Sequence, residues 1–120
     1  MSKNKAKGTA AETAVVEYFK HYYPEAKPMR VPLAGSRDMG DVILFHGTDY
    51  PVIIEVKAAA TYDIPAWLRE LGRELHNYQQ YYELEKLPEG FLFVKPKGVG
   101  VDNVECYWAI QYVGEVFNGR

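Results

Sequence analysis

The residues of this chain with the clearest potential for chemistry are charged groups inside two apolar runs. Glu55 and Lys57 interrupt the run that begins at Val52, and Asp41 opens another run directly after Gly40. A charged group in such a setting costs free energy unless it is paired or binds a metal. Carboxylates bind hard cations such as Mg²⁺, and an ammonium beside them can orient a water or offset developing charge.

Two strands joined by a turn would bring these charges together. Both runs are rich in β-branched and aromatic residues, and residues 47–51 between them have turn chemistry. Side chains alternate along a strand, so Glu55 and Lys57 would share one face, roughly 6.5 to 7 Å apart. Asp41, at the start of the partner strand, could reach the same side. The alternative is a solvated sheet face on which Glu55 and Lys57 simply meet water.

The spacing of these residues resembles a nuclease motif. Asp41 followed by Glu55-Val56-Lys57 is similar to the D…(D/E)-x-K pattern of the PD-(D/E)xK nuclease superfamily. The segment Lys7–Glu12 resembles the Lys/Arg-Gly-Ser/Thr-x-x-Glu opening of the archaeal-type Holliday junction resolvases. In that family a strand and a small-residue loop precede the Asp, and residues 29–33 and 34–39 match them. The resemblance covers about half of the chain, residues 5–60.

The resemblance implies a Mg²⁺-dependent, structure-selective endonuclease of DNA recombination and repair. It would resolve four-way (Holliday) junctions in branched DNA by paired nicks that leave 5′-phosphates, with Mn²⁺ able to replace Mg²⁺. The implied metal ligands are Asp41, Glu55 and the Val56 carbonyl, with Glu12 assisting directly or through water. Lys57 would position the nucleophile and complete the catalytic set. Because a four-way junction has two strands to cut symmetrically, a homodimer with paired sites is expected.

Glu12 has two interpretations. Thr9 can cap a helix that starts beside it, and Glu12, three residues later, would then complete a capping box. Glu12 also shares a helical apolar stripe with Val15 and Phe19, which would aim it at the acids of the hairpin. The resemblance favours the second interpretation.

Several residues are expected to contact DNA. Ser36 and Arg37 precede Asp41, where a hydroxyl and a guanidinium could bind phosphate oxygens, although the segment could be simply a polar loop. The net charge of −2 argues mildly against non-specific nucleic-acid binding, but a whole-chain sum can hide a local basic patch. The further candidates are Arg30, which could be a plain surface residue, and Lys3, Lys5 and Lys7, which could instead belong to a solvated, mobile terminus.

A helical period follows the hairpin. Pro65 suits a helix start and Pro88 its end. The remaining surface of this helix carries Glu70 and Glu74. Asp38, in the loop of residues 34–39, lies close to Asp41, but Asp41 is the preferred ligand because it enters the apolar strand. The apolar positions, which could also furnish a dimer interface, are Trp67, Leu68, Leu71, Leu75, Tyr78 and Tyr82.

The expected element order is helix, three strands, helix and two strands. We predict an α/β fold with a central mixed β-sheet flanked by helices, and the resemblance implies a restriction-endonuclease-like version of it. A chain of 120 residues fits a single nuclease domain, residues 1–120. The single Cys106 excludes an intramolecular disulfide framework and is interpreted as a buried strand residue. No apolar run approaches the ~18 residues of a membrane span, so a soluble, cytoplasmic protein is expected.

Two other functions stay open. One is another PD-(D/E)xK nuclease that acts on flaps, ends or duplex DNA. The other is a non-catalytic DNA-binding module in which Asp41, Glu55 and Lys57 form an ion-pair network. The intact set of three acids and one lysine favours an enzyme.

Overall fold

The described part of the chain contains three α-helices and five strands. The computed structural model describes the backbone of residues 3–33, 35 and 37–118, and the side chains of residues 8–33, 35 and 37–117. The helices are α1 (Lys3–Tyr22), α2 (Ile64–Tyr81) and α3 (Val113–Asn118). The strands are β1 (Met29–Arg30), β2 (Val42–Leu44), β3 (Val52–Lys57), β4 (Glu89–Val94) and β5 (Trp108–Ile110). None of the described helices combines the length and apolarity needed to cross a bilayer.

The strands form one mixed sheet in the order β1-β2-β3-β4-β5. Neighbouring strands are antiparallel except β3 and β4, which run parallel because α2 returns the chain between them. This confirms the predicted α/β fold, with a central mixed sheet flanked by helices in the predicted order. α3 is an additional element at the end of that order.

The two faces of the sheet are covered by different helices. Successive residues of β3 point to opposite faces, so Ile54 and Val56 pack under α1, while Ile53, Glu55 and Lys57 face α2. Each aliphatic side chain fully buried in these layers contributes about 1.5 to 3 kcal/mol. The buried residues under α2 are Met39, Ile43, Ile53, Leu71, Leu75, Tyr78, Leu92 and Val94. The apolar stripe of α2, considered above for a dimer interface, thus packs against the chain's own sheet.

Gly40 sets the position of the residue that follows it. Its φ is +102°, and a Cβ at this position would lie 2.5 Å from Cγ2 of Ile53. A side chain would therefore suffer both backbone strain and a clash with β3. The absence of a Cβ lets the chain approach β3 closely and brings Asp41 to the start of β2.

Three local predictions were wrong. α1 begins at Lys3 rather than beside Thr9, so Thr9 and Glu12 lie inside the helix and form no capping box. The Ala- and Lys-rich segment before Gly8 favours helix strongly enough to offset the cost of about 1 kcal/mol for an internal glycine. α2 ends at Tyr81, well before Pro88.

The third error concerns the segment that precedes β5. The expected strand over residues 104–110 begins instead with a 3₁₀ helix, Val104–Cys106, and β5 starts at Trp108. Val104 is the buried residue of this short helix, because a tight turn carries neighbouring side chains outward in different directions. Cys106 is therefore exposed and does not pack in a strand.

Candidate metal centre

Asp41 lies where the pairing of β2 with β3 ends. Its backbone N–H donates to the Ile54 carbonyl at 3.3 Å, and its side-chain Oδ2 accepts the Val56 N–H at 2.8 Å. The carboxylate thus continues the ladder beyond Val42, the last paired residue of β2. Because the N–H and C=O of one strand residue point to the same side, the Val56 carbonyl also faces the β2 side of β3.

Glu55 is a buried acid on the α2 face of β3. Its exposed fraction is 2%, which rules out the solvated sheet face considered above. Oε2 lies 3.4 Å from Lys57 Nζ, while Oε1 has no hydrogen-bond partner among the described residues. Burial, and then the neighbouring Asp41 carboxylate, raise the pKa of Glu55 well above its ordinary range. The metal-free fold therefore favours the protonated, neutral form of Glu55, and its ionised form would need a cation beside Oε1.

Lys57 is shared by two acids from different elements. Its Nζ lies 3.4 Å from Glu55 Oε2 on β3 and 3.0 Å from Glu70 Oε2 on α2. Burial alone would lower the pKa of Lys57, but the Glu55 and Glu70 carboxylates outweigh that effect and raise it. Lys57 therefore carries a positive charge at neutral pH, which suits it to offset developing charge or orient a water rather than to accept a proton.

Glu12 approaches the same region from α1. Its Oε1 accepts Arg30 Nη1 at 2.7 Å, and Arg30 Nη2 also donates to Thr13 Oγ1 at 2.6 Å and to the Thr9 carbonyl at 3.3 Å. Burial and the Asp41 carboxylate raise the pKa of Glu12, against the opposing effects of Arg30 and Lys57. Glu12 is thus within electrostatic reach of Asp41, and Arg30 is anchored to α1.

A second group of acids lies beside the first, between the loop before β2 and α2. Asp38, Glu70 and Glu74 each offer a carboxylate oxygen within 4.8 Å of the others, so this group could hold a metal ion. Among the described residues, Glu12, Asp41 and Glu55 do not converge to that extent.

Glu74 was expected on the helix surface, and that interpretation was wrong. Its exposed fraction is 2%, and both carboxylate oxygens have no partner within the described part of the chain. The sequence did contain a signal: Glu74 lies three residues after Leu71 and four before Tyr78, and therefore on the apolar stripe. A charged residue at a core position of a helix indicates a functional or strained site.

The carboxylates influence one another across both groups. Burial, and then Asp38, raise the pKa of Glu74 to about 9, with smaller contributions from Asp41 and Glu70. The Glu74 carboxylate in turn helps to raise the pKa of Glu55. This mutual effect makes the two groups one acidic surface that favours bound cations.

The expected DNA contacts fall in different places. Arg37, in the loop before β2, reaches the exposed side of α2, where its Nη1 lies 3.4 Å from Gln80 Oε1. The backbone of Lys3, Lys5 and Lys7 lies at the start of α1, but their side chains fall outside the described residues, as does all of Ser36. Phosphate contacts by these residues, and by the anchored Arg30, stay predictions.

The assignment of a function depends on this geometry. Asp41, Glu55 and Lys57 lie together as the hairpin spacing predicted, and α2 adds Glu70 and Glu74. Oxygen donors of this kind suit hard divalent cations. No protein-family model, no curated protein and no solved structure matches the chain.

Proposed function

We propose that this protein is a Mg²⁺-dependent DNA endonuclease that acts on branched DNA and resolves four-way junctions by paired nicks leaving 5′-phosphates. The observation that carries the proposal is the pair of adjacent acids Asp41 and Glu55, with Lys57 beside them and Glu55 Oε1 buried without a partner among the described residues. A buried carboxylate in this state is stabilised by a cation. The restriction-endonuclease-like version of the fold belongs to the same proposal.

The donor set fits Mg²⁺. Asp41 has one oxygen committed to the Val56 N–H and one oxygen left, Glu55 has its unpartnered Oε1, and the Val56 carbonyl points to the same side. Mg²⁺ keeps several waters and takes few protein oxygens, so three such donors suffice, and Glu12 assists through water. Mn²⁺ accepts the same ligands.

The chain's own groups would divide the work. Bound Mg²⁺ would polarise a phosphate oxygen and lower the pKa of a water. Lys57, held as an ammonium, would orient the attacking water and offset charge on the phosphorus. Arg37, Ser36, Arg30 and the lysines at positions 3, 5 and 7 would hold the DNA backbone, where charge-assisted contacts position a substrate without reading its sequence.

Symmetric cutting requires two sites at a defined distance. A four-way junction is related to itself by a two-fold axis, and a homodimer with the same axis would present one site to each strand. Sedimentation or light scattering with and without a junction measures this directly. A monomer in both conditions would contradict junction resolution while leaving single-strand nicking open.

The decisive experiment offers the protein three labelled substrates: a four-way junction, a flap and a linear duplex, each with Mg²⁺, Mn²⁺ or EDTA. Paired symmetric nicks in the junction alone, lost in EDTA, support the proposal. Asp41→Asn should remove cutting, Lys57→Ala should strongly reduce it, and both should retain junction binding. Asp49→Asn, an exposed acid in the turn between β2 and β3, is the matched control and should cut normally.

Two alternatives are outcomes of the same experiment. Cutting of flaps or duplex would indicate another nuclease of the same superfamily. Retardation of the junction in a gel without any cutting would indicate a binding module, which the ion pairs of Lys57 with Glu55 and Glu70 would suit as a purely structural network.

A further inference from the structure

We infer that Asp38, Glu70 and Glu74 form a second divalent-cation site, separate from the Asp41–Glu55 pair. The inference does not depend on nuclease activity, because it concerns binding of an ion by residues that the proposed cleavage chemistry does not use. The ligand class is a hard cation with oxygen coordination, such as Mg²⁺, Mn²⁺ or Ca²⁺.

The three acids are held in place by the fold. Glu70 and Glu74 are one turn apart on α2, so their side chains leave the helix on the same face. Asp38 is fixed against α2 because Asn77 Nδ2 donates to the Asp38 carbonyl at 2.8 Å. Asp38 Oδ1 accepts the Gly40 N–H at 3.1 Å, which orients the carboxylate and leaves Oδ2 for a ligand.

The state of Glu74 points to a ligand beyond the protein. Its exposed fraction is 2%, and neither carboxylate oxygen is hydrogen-bonded within the described chain. No lysine or arginine among the described side chains lies within 4.0 Å of the carboxylates of Asp38 or Glu74. A proton shared by Glu74 and Asp38 would satisfy one oxygen of each of these two acids and leave the third acid uncompensated. A divalent cation would bind oxygens of all three and offset their repulsion.

The site is open to a hydrated ion. The three acids line a cleft of about 710 Å³, together with Asn77 and Gln80. Such a cleft admits an ion that retains part of its water shell, as Mg²⁺ does when it has few carboxylate ligands. Arg73 and His76 also line it, and the Arg73 guanidinium places positive charge at its rim without an ion pair to the acids among the described side chains.

Counting bound Mn²⁺ ions tests the inference. Electron paramagnetic resonance of free Mn²⁺, titrated against the full chain in the absence of DNA, should give two ions per chain. Asp38→Asn and Glu74→Gln should each weaken one of them at least tenfold and change the affinity of the other much less, the remaining effect coming from the interaction between the two groups of acids. Asp41→Asn should remove the other ion. Glu70 is left intact in this test because its replacement would also disturb Lys57.

The controls separate this inference from the proposed function. Glu85 is an exposed acid that follows α2, and the Glu85→Gln variant should still bind two ions. Asp38 is exposed, so Asp38→Asn tests the site without touching the core, should Glu74→Gln fail to fold. One ion in the wild type, lost only with Asp41→Asn, would overturn the second site and leave the nuclease proposal standing. One ion lost only with Asp38→Asn would support the site of Asp38, Glu70 and Glu74 and would contradict metal binding by Asp41.

Discussion

Asp41 Oδ2 accepts the backbone N–H of Val56 at 2.8 Å, so a side chain at the start of β2 completes the hydrogen bonding of β3. One oxygen of this acid is therefore structural, and the carboxyl group as a whole lies beside that of Glu55. The same residue fixes the strand and, in the proposed function, would offer a ligand atom. Substitutions at Asp41 should consequently separate into two classes, according to whether an oxygen remains for the Val56 N–H.

Asp41→Ala should destabilise the protein more than Asp41→Asn. Asparagine keeps an oxygen that can accept the Val56 N–H, whereas alanine leaves that donor unpaired. A lost hydrogen bond to a charged acceptor costs about 1.5 to 3 kcal/mol. Urea unfolding in EDTA measures the difference. Equal midpoints for the two variants would show that the bond contributes nothing, and Asp49→Ala in the exposed turn serves as the control.

The metal-free protein should lose stability as the pH rises. The pKa values of Glu55 and Glu74 are raised above their ordinary value of 4.5 in the folded state, the latter to about 9. Each acid then contributes stability that is complete below pH 4.5 and falls as the pH rises towards the folded pKa, because the folded state holds a proton that the unfolded chain releases. The slope is at most about 1.4 kcal/mol per pH unit for each acid.

Glu55→Gln and Glu74→Gln should each make the free energy of unfolding less dependent on pH. Both should also raise the thermal midpoint of the metal-free protein near pH 8, because the unfavourable ionisation of the buried acid is removed. Mg²⁺ should stabilise the wild type more near pH 8 than near pH 5, because binding displaces protons. A wild type whose stability in EDTA is constant between pH 5 and 8 would contradict the buried, mutually repelling acids. Glu85→Gln should behave as wild type.

Gly40→Ala should be strongly destabilising. A Cβ at this position would lie 2.5 Å from Ile53 Cγ2 on a backbone with φ +102°. Backbone strain of this kind costs about 1 to 3 kcal/mol, and the clash adds to it. Gly98→Ala is the matched control, since Gly98 has φ +83° but open space where a Cβ would lie. Chemical unfolding of the two variants isolates the clash, and equal losses would exclude it.

Lys57→Ala should reduce junction cleavage by roughly 10²- to 10³-fold, the usual effect of removing one group that stabilises transition-state charge. It should also leave Glu55 and Glu70 without their shared cation. Single-turnover cleavage measures the first effect and gel retardation shows whether binding persists. Lys86→Ala, an exposed lysine beyond α2, should cleave at the wild-type rate. Unchanged cleavage by Lys57→Ala would remove Lys57 from the mechanism.

Local patterns predicted most of the fold. β3 lies at Val52–Lys57 as expected, because β-branched alternation and a flanking turn determine a strand within a few residues. The juxtaposition of Asp41 with Glu55 and Lys57 followed from the same hairpin. The start of α1 was misjudged because Gly8 and Thr9 together looked like a helix boundary, although the residues before them are good helix formers.

The acids of α2 were harder to predict. Glu70 and Glu74 reach the site only because α2 packs on the sheet. The spacing of residues along the chain does not predict this tertiary contact. The position of Glu74 on the apolar stripe indicated burial. Glutamate is nevertheless common on exposed helix surfaces, so its residue type favoured a surface position. Asp38 was set aside because it lies outside a strand, yet its contact with Asn77 gives it a fixed place.

The acidic surface spans the seam between α2 and the sheet, with Glu70 and Glu74 on one side of that seam and Glu55 on the other. Lys57 already joins the two layers through Glu55 and Glu70, and ionisation of the buried acids would add repulsion between them that bound cations would offset. Chelation should therefore loosen α2 selectively: its amides should exchange with deuterium faster in EDTA, while those of α1, on the far face of the sheet, keep their protection.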